Sequence, residues 1–486
     1  MAGEEKLFMI KKGKGIYIGA LVALLVAVMA GGCRKSQQQL TAGGVLTFST
    51  DTLKFDTVFT AQGSYTSGVV IYNPQSEAVV VSSVRMQGGA ASYFHLNING
   101  SSLAAATNLR IAAHDSMYVF ATVTINPDSS NTPFFIDDFL VATMNGKDFS
   151  IPFTAYGQNA HYIMNDSITV NTTWLTDRPY VVFNKLAIGP GVALTIPKSC
   201  KVYMHQNARF FVYGALVVDP GGLPGKDSVV FQGDRLDRDY FGYIGYPGEW
   251  GGIYFVPGGF GLITDAVIKN CGGATPYYFY TIQSAAIEVD TAAKLYIDHS
   301  KVENSIGYGI LSIQGSVVAN NCLVSTTGAE ALAIIQGGYD TITNCTFANY
   351  GTAAVSHATN GTVAILNYYR VDQNTIYFGN LNAVMENCIV YGSLDSEIVC
   401  DTSSSAGARL VVNNCLLKMG SVREPFVQFD ATLFNMDPMF KDQNNGDFHL
   451  AAGSPAIAKG TTPATGVDLD GNSWSGNYDM GCYKYH

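Results

Sequence analysis

Five Asn-Cys pairs, at Asn270-Cys271, Asn321-Cys322, Asn344-Cys345, Asn387-Cys388 and Asn414-Cys415, punctuate the second half of this chain, each after a short apolar or β-branched run. Ile297-Asp298-His299-Ser300 and Ile365-Leu366-Asn367-Tyr368 fit the same phase with substitutions, so the polar position falls at 270, 299, 321, 344, 367, 387 and 414. Steps of roughly 20 to 30 residues mark one supersecondary unit per repeat, stacked because no unit buries its apolar face alone. The units are runs of Val, Ile, Thr, Phe and Tyr broken by Gly, Asn, Asp and Ser, without apolar residues at helical spacing. The pattern predicts a β-solenoid, each coil adding about 4.8 Å of height.

An Asn at one turn of every coil tolerates a left-handed backbone and is expected to hydrogen-bond its counterparts above and below. On this reading Asn270, Asn321, Asn344, Asn367, Asn387 and Asn414 form a structural ladder, and the Cys that follows points inward as a small apolar packer. Metal-binding cysteines come as closely spaced pairs, and the chain has no CxxC. Cys322/Cys345 and Cys388/Cys415 would lie on adjacent coils with parallel Cβ directions, so free thiols are expected even in an oxidising compartment.

The N-terminus reads as an address. Lys11, Lys12 and Lys14 precede an apolar run from Ile16 to Ala30, too short for a comfortable membrane span, and Ala30-Gly31-Gly32-Cys33 ends it. This resembles a bacterial lipoprotein signal, with Ala30 where Leu is usual. The resemblance implies lipidation at Cys33, a signal over 1–33, a tether over 34–44 and a place in the cell envelope, on the periplasmic or outer face of the outer membrane. Residues 1–32 carry four Lys and two Glu, so a chain without them holds 24 basic and 36 acidic residues. That balance argues against nucleic acid as a partner.

Residues 45–160 alternate apolar and polar in short strands, with turn signals at Asn73-Pro74, Asn126-Pro127 and Asn145-Gly146. They predict a β-sandwich of about seven strands and resemble the immunoglobulin-like domains of bacterial envelope proteins, closing on Tyr156-Gly157. From 161 to 435 the Asn-Cys coils and the Gly-cornered runs before them resemble right-handed parallel β-helix proteins, a group that includes pectate lyases, polygalacturonases and alginate-degrading enzymes. Residues 436–486 carry Asp437-Pro438-Met439-Phe440, Gly446-Asp447-Phe448-His449-Leu450, Gly453-Ser454-Pro455-Ala456-Ile457, Asp468-Leu469-Asp470-Gly471-Asn472 and Asp479-Met480-Gly481-Cys482-Tyr483. These resemble the C-terminal module of choice-of-anchor Q β-helix proteins. Two positions depart from that pattern: Ser473 and Trp474 stand where an Arg is frequent, and Lys484 where an acidic residue is expected. Asp468 and Asp470 begin like a calcium loop without its later Glu; turn stabilisation and Ca²⁺ binding both stay open. No other cofactor is expected.

A lyase or polygalacturonase would need several Asp or Glu beside Arg, Lys or His, and no such set is readable in linear order. The run Asp234-Arg235-Leu236-Asp237-Arg238-Asp239 reads as a self-compensating solvated loop. Asp298-His299-Ser300 looks like a catalytic string, yet it occupies the Asn-Cys phase. Tyr277, Tyr278 and Tyr280, in a loop of the longest step, and Tyr368, Tyr369 and Arg370, at a later rung, are candidate glycan-stacking residues. The expected function is non-catalytic binding of a glycan or surface partner; the alternative is a polysaccharide lyase or glycoside hydrolase with carboxylates drawn from different coils.

Overall fold

The computed structural model describes residues 39–102, 105–218, 228–236, 245–273, 284–370, 374–420, 424–463, 465–474, 476 and 478–486. It is all-β apart from short 3-10 turns, and its described residues fall into two compact units. One takes 39–54, 66–122 and 137–154; the other takes 55–65, 123–136 and 155–486.

Two five-stranded antiparallel sheets make the sandwich region. One runs in the order Thr47–Phe48, Ser67–Tyr72, Ser116–Val123, Phe94–Ile98, Ser101–Ser102. The other runs Leu53–Phe59, Lys147–Gln158, Phe134–Met144, Val79–Met86, Ala105–Ile111. Alternation along Ser116–Val123 buries Met117, Val119, Ala121 and Val123 and turns Tyr118 and Phe120 outward. Phe94 of the first sheet meets Phe153 of the second edge-on, their centroids 5.7 Å apart. At Asn145-Gly146 both residues have positive φ, 51° and 75°, the requirement of a type I′ hairpin turn.

From His161 the chain winds into a parallel β-helix. Each regular coil has three strands, as in Ser316–Asn320, Leu323–Thr327 and Leu332–Ile335. First strands stack into a ten-stranded parallel sheet, and second and third strands form an eighteen-stranded one. Ten first strands at about 4.8 Å spacing make a column about 43 Å tall. The interior is filled from all three walls by residues such as Phe210, Phe231, Trp250, Phe255 and Phe347, all fully buried. The Trp250 indole N–H reaches the Lys269 carbonyl at 2.9 Å, so the largest core side chain leaves no stranded donor.

The register separates what the sequence had merged. The corner after the first strand stacks Asp265, His299, Asn321, Asn344, Asn387, Asn414 and Ala431, by the pairings Thr264↔Asp298, Asp298↔Asn320, Asn320↔Thr343, Thr343↔Glu386, Glu386↔Asn413 and Asn413↔Asp430. All seven are left-handed, with φ between 43° and 55°. Asn is favoured there because its short polar side chain tolerates this region. Asn270 and Asn367 stand elsewhere. Asn270 lies at the second corner, where the Asn304 amide donates to its Oδ1 at 2.8 Å. Asn367 continues a third corner, below Gln314 and Gln336. The near-equal spacing misled because a single coil from Asn344 to Asn387 holds both a loop at 350–362 and a hairpin, and its length mimics two rungs.

The residue after each first corner is Ala266, Ser300, Cys322, Cys345, Cys388, Cys415 or Thr432, small and turned inward. Each hydroxyl or thiol points at the carbonyl two residues back. The bonds are Ser300 to Asp298 at 2.8 Å, Cys322 to Asn320 at 3.1 Å, Cys345 to Thr343, Cys388 to Glu386 and Cys415 to Asn413 at 3.2 Å, and Thr432 to Asp430 at 3.0 Å. Cys is thus more than an apolar filler. It is a small donor to a carbonyl that also accepts the backbone N–H of the corner residue on the preceding coil, as Asn320 O does from His299 N at 3.1 Å and Thr343 O from Asn321 N at 3.1 Å. All eight described cysteines are buried and free.

The Asn side chains of this column turn mainly to the C-terminal segment, with two contacts along the column, Asn387 Nδ2 to Asn344 Oδ1 at 3.3 Å and Asn321 Nδ2 to His299 Nε2 at 3.4 Å. Asn414 donates to Lys459 O at 2.9 Å, Asn387 accepts from Thr461 N at 2.8 Å and donates to Thr461 O at 3.1 Å, and Asn321 donates to Val467 O at 3.1 Å and to Thr465 Oγ1. His299 Nε2 lies 3.2 Å from the same Val467 oxygen. Residues 459, 461, 465 and 467 therefore advance two per coil down the column, as a strap. Beyond it, Phe440, Phe448, Leu450, Leu469, Cys482 and Tyr483 pack on Leu323, Ala348, Ile389 and Leu416 of the coils.

A carboxylate stands among the inward residues. Asp340, opposite Ala383 on the neighbouring coil, is 2% exposed; its Oδ1 accepts from Val317 N at 2.9 Å, and Oδ2 has no partner among the described residues. Burial raises its carboxyl to about 7 against that one bond. A raised carboxyl favours folding while protonated, so its contribution is present below its unfolded value near 4 and is lost as pH rises through about 7. Asp340→Asn is expected to add about 2 kcal/mol at pH 8 and little at pH 4, read by denaturant titration at both. Burial also pushes the Cys200 thiol up to about 11 and Cys400 to about 12. Alkylation at pH 8 should leave the eight described cysteines unmodified in native protein and label all eight after unfolding; a missing pair would reveal a disulfide.

Candidate functional site

The described cavity richest in titratable groups sits on the second corner of the early coils. Strand Lys201–Met204 ends at His205 and strand Val229–Gly233 ends at Asp234, and the pairing Met204↔Gly233 places the two side by side. His205 Nδ1 lies 2.7 Å from Asp234 Oδ2. The Asp234 side chain is 1% exposed and the His205 side chain 38%, so a buried carboxylate orients a ring that solvent can reach. Phe183 supports that ring at 4.6 Å between centroids. With Nδ1–H donating to Asp234, Nε2 is left without a partner among the described residues.

Glu249 closes the other side. Its backbone N–H donates to Asn270 O at 2.9 Å, and its carboxylate rests over Gly233, where an added Cβ would come within 2.1 Å of Oε2. Gly233 is therefore required by space. Asn270 Nδ2 stands 3.4 Å from Glu249 Oε2, so the displaced Asn270 supports this wall. Arg235 and Tyr246 complete the lining, and Arg235 Nη1 also donates to Gly63 O at 3.2 Å. The cavity measures about 270 Å³. It offers two carboxylates, an imidazole, a guanidinium and a phenol ring to a ligand rich in hydroxyl groups.

This corrects the reading of Asp234 and Arg235 as a solvated, self-compensating loop: the stacked coils pull the Asp234 carboxylate out of water and against His205. Asp237, Arg238 and Asp239 lie outside the described residues. His205 and Glu249 carried no linear signal, because the early coils lack the Asn-Cys marker and strands that pair across one corner are separated by long loops. The only hint is that Met204-His205 and Gly233-Asp234 share one offset from their strands.

The remaining candidates are dispersed. Cys33, Tyr277, Tyr278 and Tyr280 lie outside the described residues. Tyr368–Arg370 leaves the coil as a hairpin with Ile376–Phe378 instead of sitting on a rung. The Tyr368 hydroxyl donates to Asp401 Oδ2 at 2.6 Å, and Tyr369 packs on an outer apolar cluster of Ala285, Leu311, Ala333 and Ile335. Arg370 is exposed. In the C-terminal segment the Asp468 carboxylate accepts from Asp470 N, Asn472 N, Asn472 Nδ2 and Lys484 N at 2.7 to 3.2 Å, and Asp470 Oδ2 meets His449 Nε2 at 2.7 Å. These bonds tie the Asp-x-Asp-Gly turn to residue 484, and Lys484 Nζ reaches the Ser473 carbonyl at 2.8 Å. Among the described residues no group of three or more His, Cys, Asp and Glu is arranged to hold a metal ion. His357 and Glu397, 2.9 Å apart, are both buried and fasten the loop at 350–362.

Comparison with known proteins adds a family for part of the solenoid. Residues 285–422 match the family described as right handed beta helix region. No curated protein matches the chain. Among solved structures, a family 123 glycoside hydrolase from Clostridium perfringens, studied for glycolipid glycan hydrolysis, is 10% identical over 24% of this chain and 26% of that one, with a TM-score of 0.17. A protein of unknown function from Porphyromonas gingivalis W83 is 11% identical over 26% of this chain and 60% of that one, also at 0.17. This chain thus spans less than two thirds of either, and neither likeness bears on activity.

Gly233→Ala should drive Glu249 from its seat and cost about 1–3 kcal/mol by overpacking, seen as a lower thermal midpoint. An unchanged midpoint would mean that Glu249 does not occupy this wall.

Proposed function

We propose that this protein is a cell-envelope lipoprotein, anchored to the outer membrane through Cys33, whose β-helix binds a neutral glycan without cleaving it. On this reading residues 436–486 are a cap of the choice-of-anchor Q type and residues 45–160 an immunoglobulin-like spacer. The observation that carries the binding assignment is the cavity between His205, Asp234 and Glu249. Carboxylates accept hydrogen bonds from sugar hydroxyls, and the Tyr246 ring supplies an apolar surface of the kind that packs on pyranose faces. Two carboxylates against one guanidinium, on a chain of net charge −10, disfavour an acidic polysaccharide.

One observation favours the second reading, a glycoside hydrolase or polysaccharide lyase. An imidazole oriented by a buried carboxylate, beside a further carboxylate, is an arrangement able to move protons. The two readings differ in product. The purified protein is to be titrated with neutral and acidic polysaccharides while reducing ends and unsaturated-product absorbance are followed. The expected result is retention of a neutral glycan, at least tenfold weaker in Glu249→Gln and His205→Ala, with no new ends. Release of product that both substitutions abolish would establish the enzyme instead.

A further inference from the structure

His299 entered as the centre of a catalytic-looking string, yet its surroundings are those of a latch. Ser300 is fully buried, and its hydroxyl is committed to Asp298 O and Ala266 N, so it presents no nucleophile. His299 itself is 7% exposed and faces acceptors on both sides. Nδ1 lies 2.9 Å from Asp298 Oδ1, and Nε2 lies 3.2 Å from the Val467 carbonyl on the strap. A neutral imidazole carries one N–H, so it serves one of these acceptors and turns a lone pair on the other; only the imidazolium donates to both. The Asn321 amide nitrogen, 3.4 Å from Nε2, also donates to Val467 O, so the same oxygen has one constant donor and one that depends on protonation.

We propose that His299 is a protonation-dependent latch that holds the C-terminal strap, through Val467, against the first corner of the β-helix. At the equivalent corners Asn321, Asn387 and Asn414 grip the strap through amides, which do not titrate, whereas His299 puts an imidazole in that place. The charged groups facing His299 are Asp298 on its own strand and Asp265 on the coil before. Burial draws the ring towards neutrality, but the bond to Asp298, its charge, the Val467 carbonyl and Asp265 outweigh that and hold it above its ordinary value. A raised histidine contributes fully below its unfolded value near 6.5 and loses that contribution as pH rises through the folded value. The strap therefore loosens on the alkaline side.

A second histidine, His449, bridges Asp447 at 2.5 Å and Asp470 at 2.7 Å further along the segment, with Lys301 and Tyr483 adjacent. The test must separate the two. Hydrogen exchange of the full chain, corrected for intrinsic rates, is to be compared at pH 5.5 and 8.5 for peptides covering 465–468 and 447–450. His299→Asn is the variant of choice, because it installs the column's own residue at a left-handed corner. In the parent the 465–468 peptide should lose protection roughly tenfold or more at pH 8.5, the scale of one hydrogen bond to a charged group. In His299→Asn that pH response should vanish, while 447–450 behaves as in the parent. A flat parent profile, or an unchanged response in His299→Asn, would overturn the latch.

Discussion

The left-handed corner after each first strand is the constraint on which the solenoid turns. A parallel coil must bend sharply between strands without leaving polar backbone groups stranded, and a positive φ makes the bend in a single residue. The carbonyl of the residue before it still accepts the N–H of the corner residue on the preceding coil, as Glu386 O does from Asn344 N at 3.0 Å. A thiol or hydroxyl on the residue after it comes back to that carbonyl, and the column of Ser300, the four cysteines and Thr432 repeats the device coil after coil. Within this arrangement Asn and Cys are two halves of one corner.

The same corner couples the solenoid to the end of the chain. Side chains that could have closed on one another instead bind the strap, which supplies backbone acceptors at Lys459, Thr461 and Val467. A wall that would otherwise show a stripe of amides is thereby satisfied by the protein's own last segment. Asn344 marks a gap: its Nδ2 is buried with no partner among the described residues, at the rung between those served by Thr461 and Thr465. A zipper built from many modest bonds of this kind opens locally at small cost, which suits a segment whose hold varies with conditions.

The early coils show how a regular fold makes an irregular site. They obey the same register but lack the Asn-Cys marker, and long excursions leave their second corner. Stacking alone sets His205 on Asp234, and the need for Glu249 to lie against the wall leaves room only for glycine at 233. Function on a solenoid is placed in this manner, by which side chains a column brings together.

The sequence by itself determined that the second half is a β-solenoid, because the period of the repeat and its β-branched composition admit little else, and it marked the turns of the sandwich at Asn145-Gly146. It also held the Asp-x-Asp-Gly and Gly-x-Tyr motifs of the final segment, though not that they meet around His449. What only the tertiary structure decided is which rungs share a column. Spacing along a chain measures contour length, whereas register is set by hydrogen bonds between coils. An insertion such as the one between Asn344 and Asn387 changes the first without touching the second. Asn270 and Asn367 were misplaced for that reason, and His205, Asp234 and Glu249 passed unseen for the same one: they are distant in sequence, and parallel pairing alone makes them neighbours.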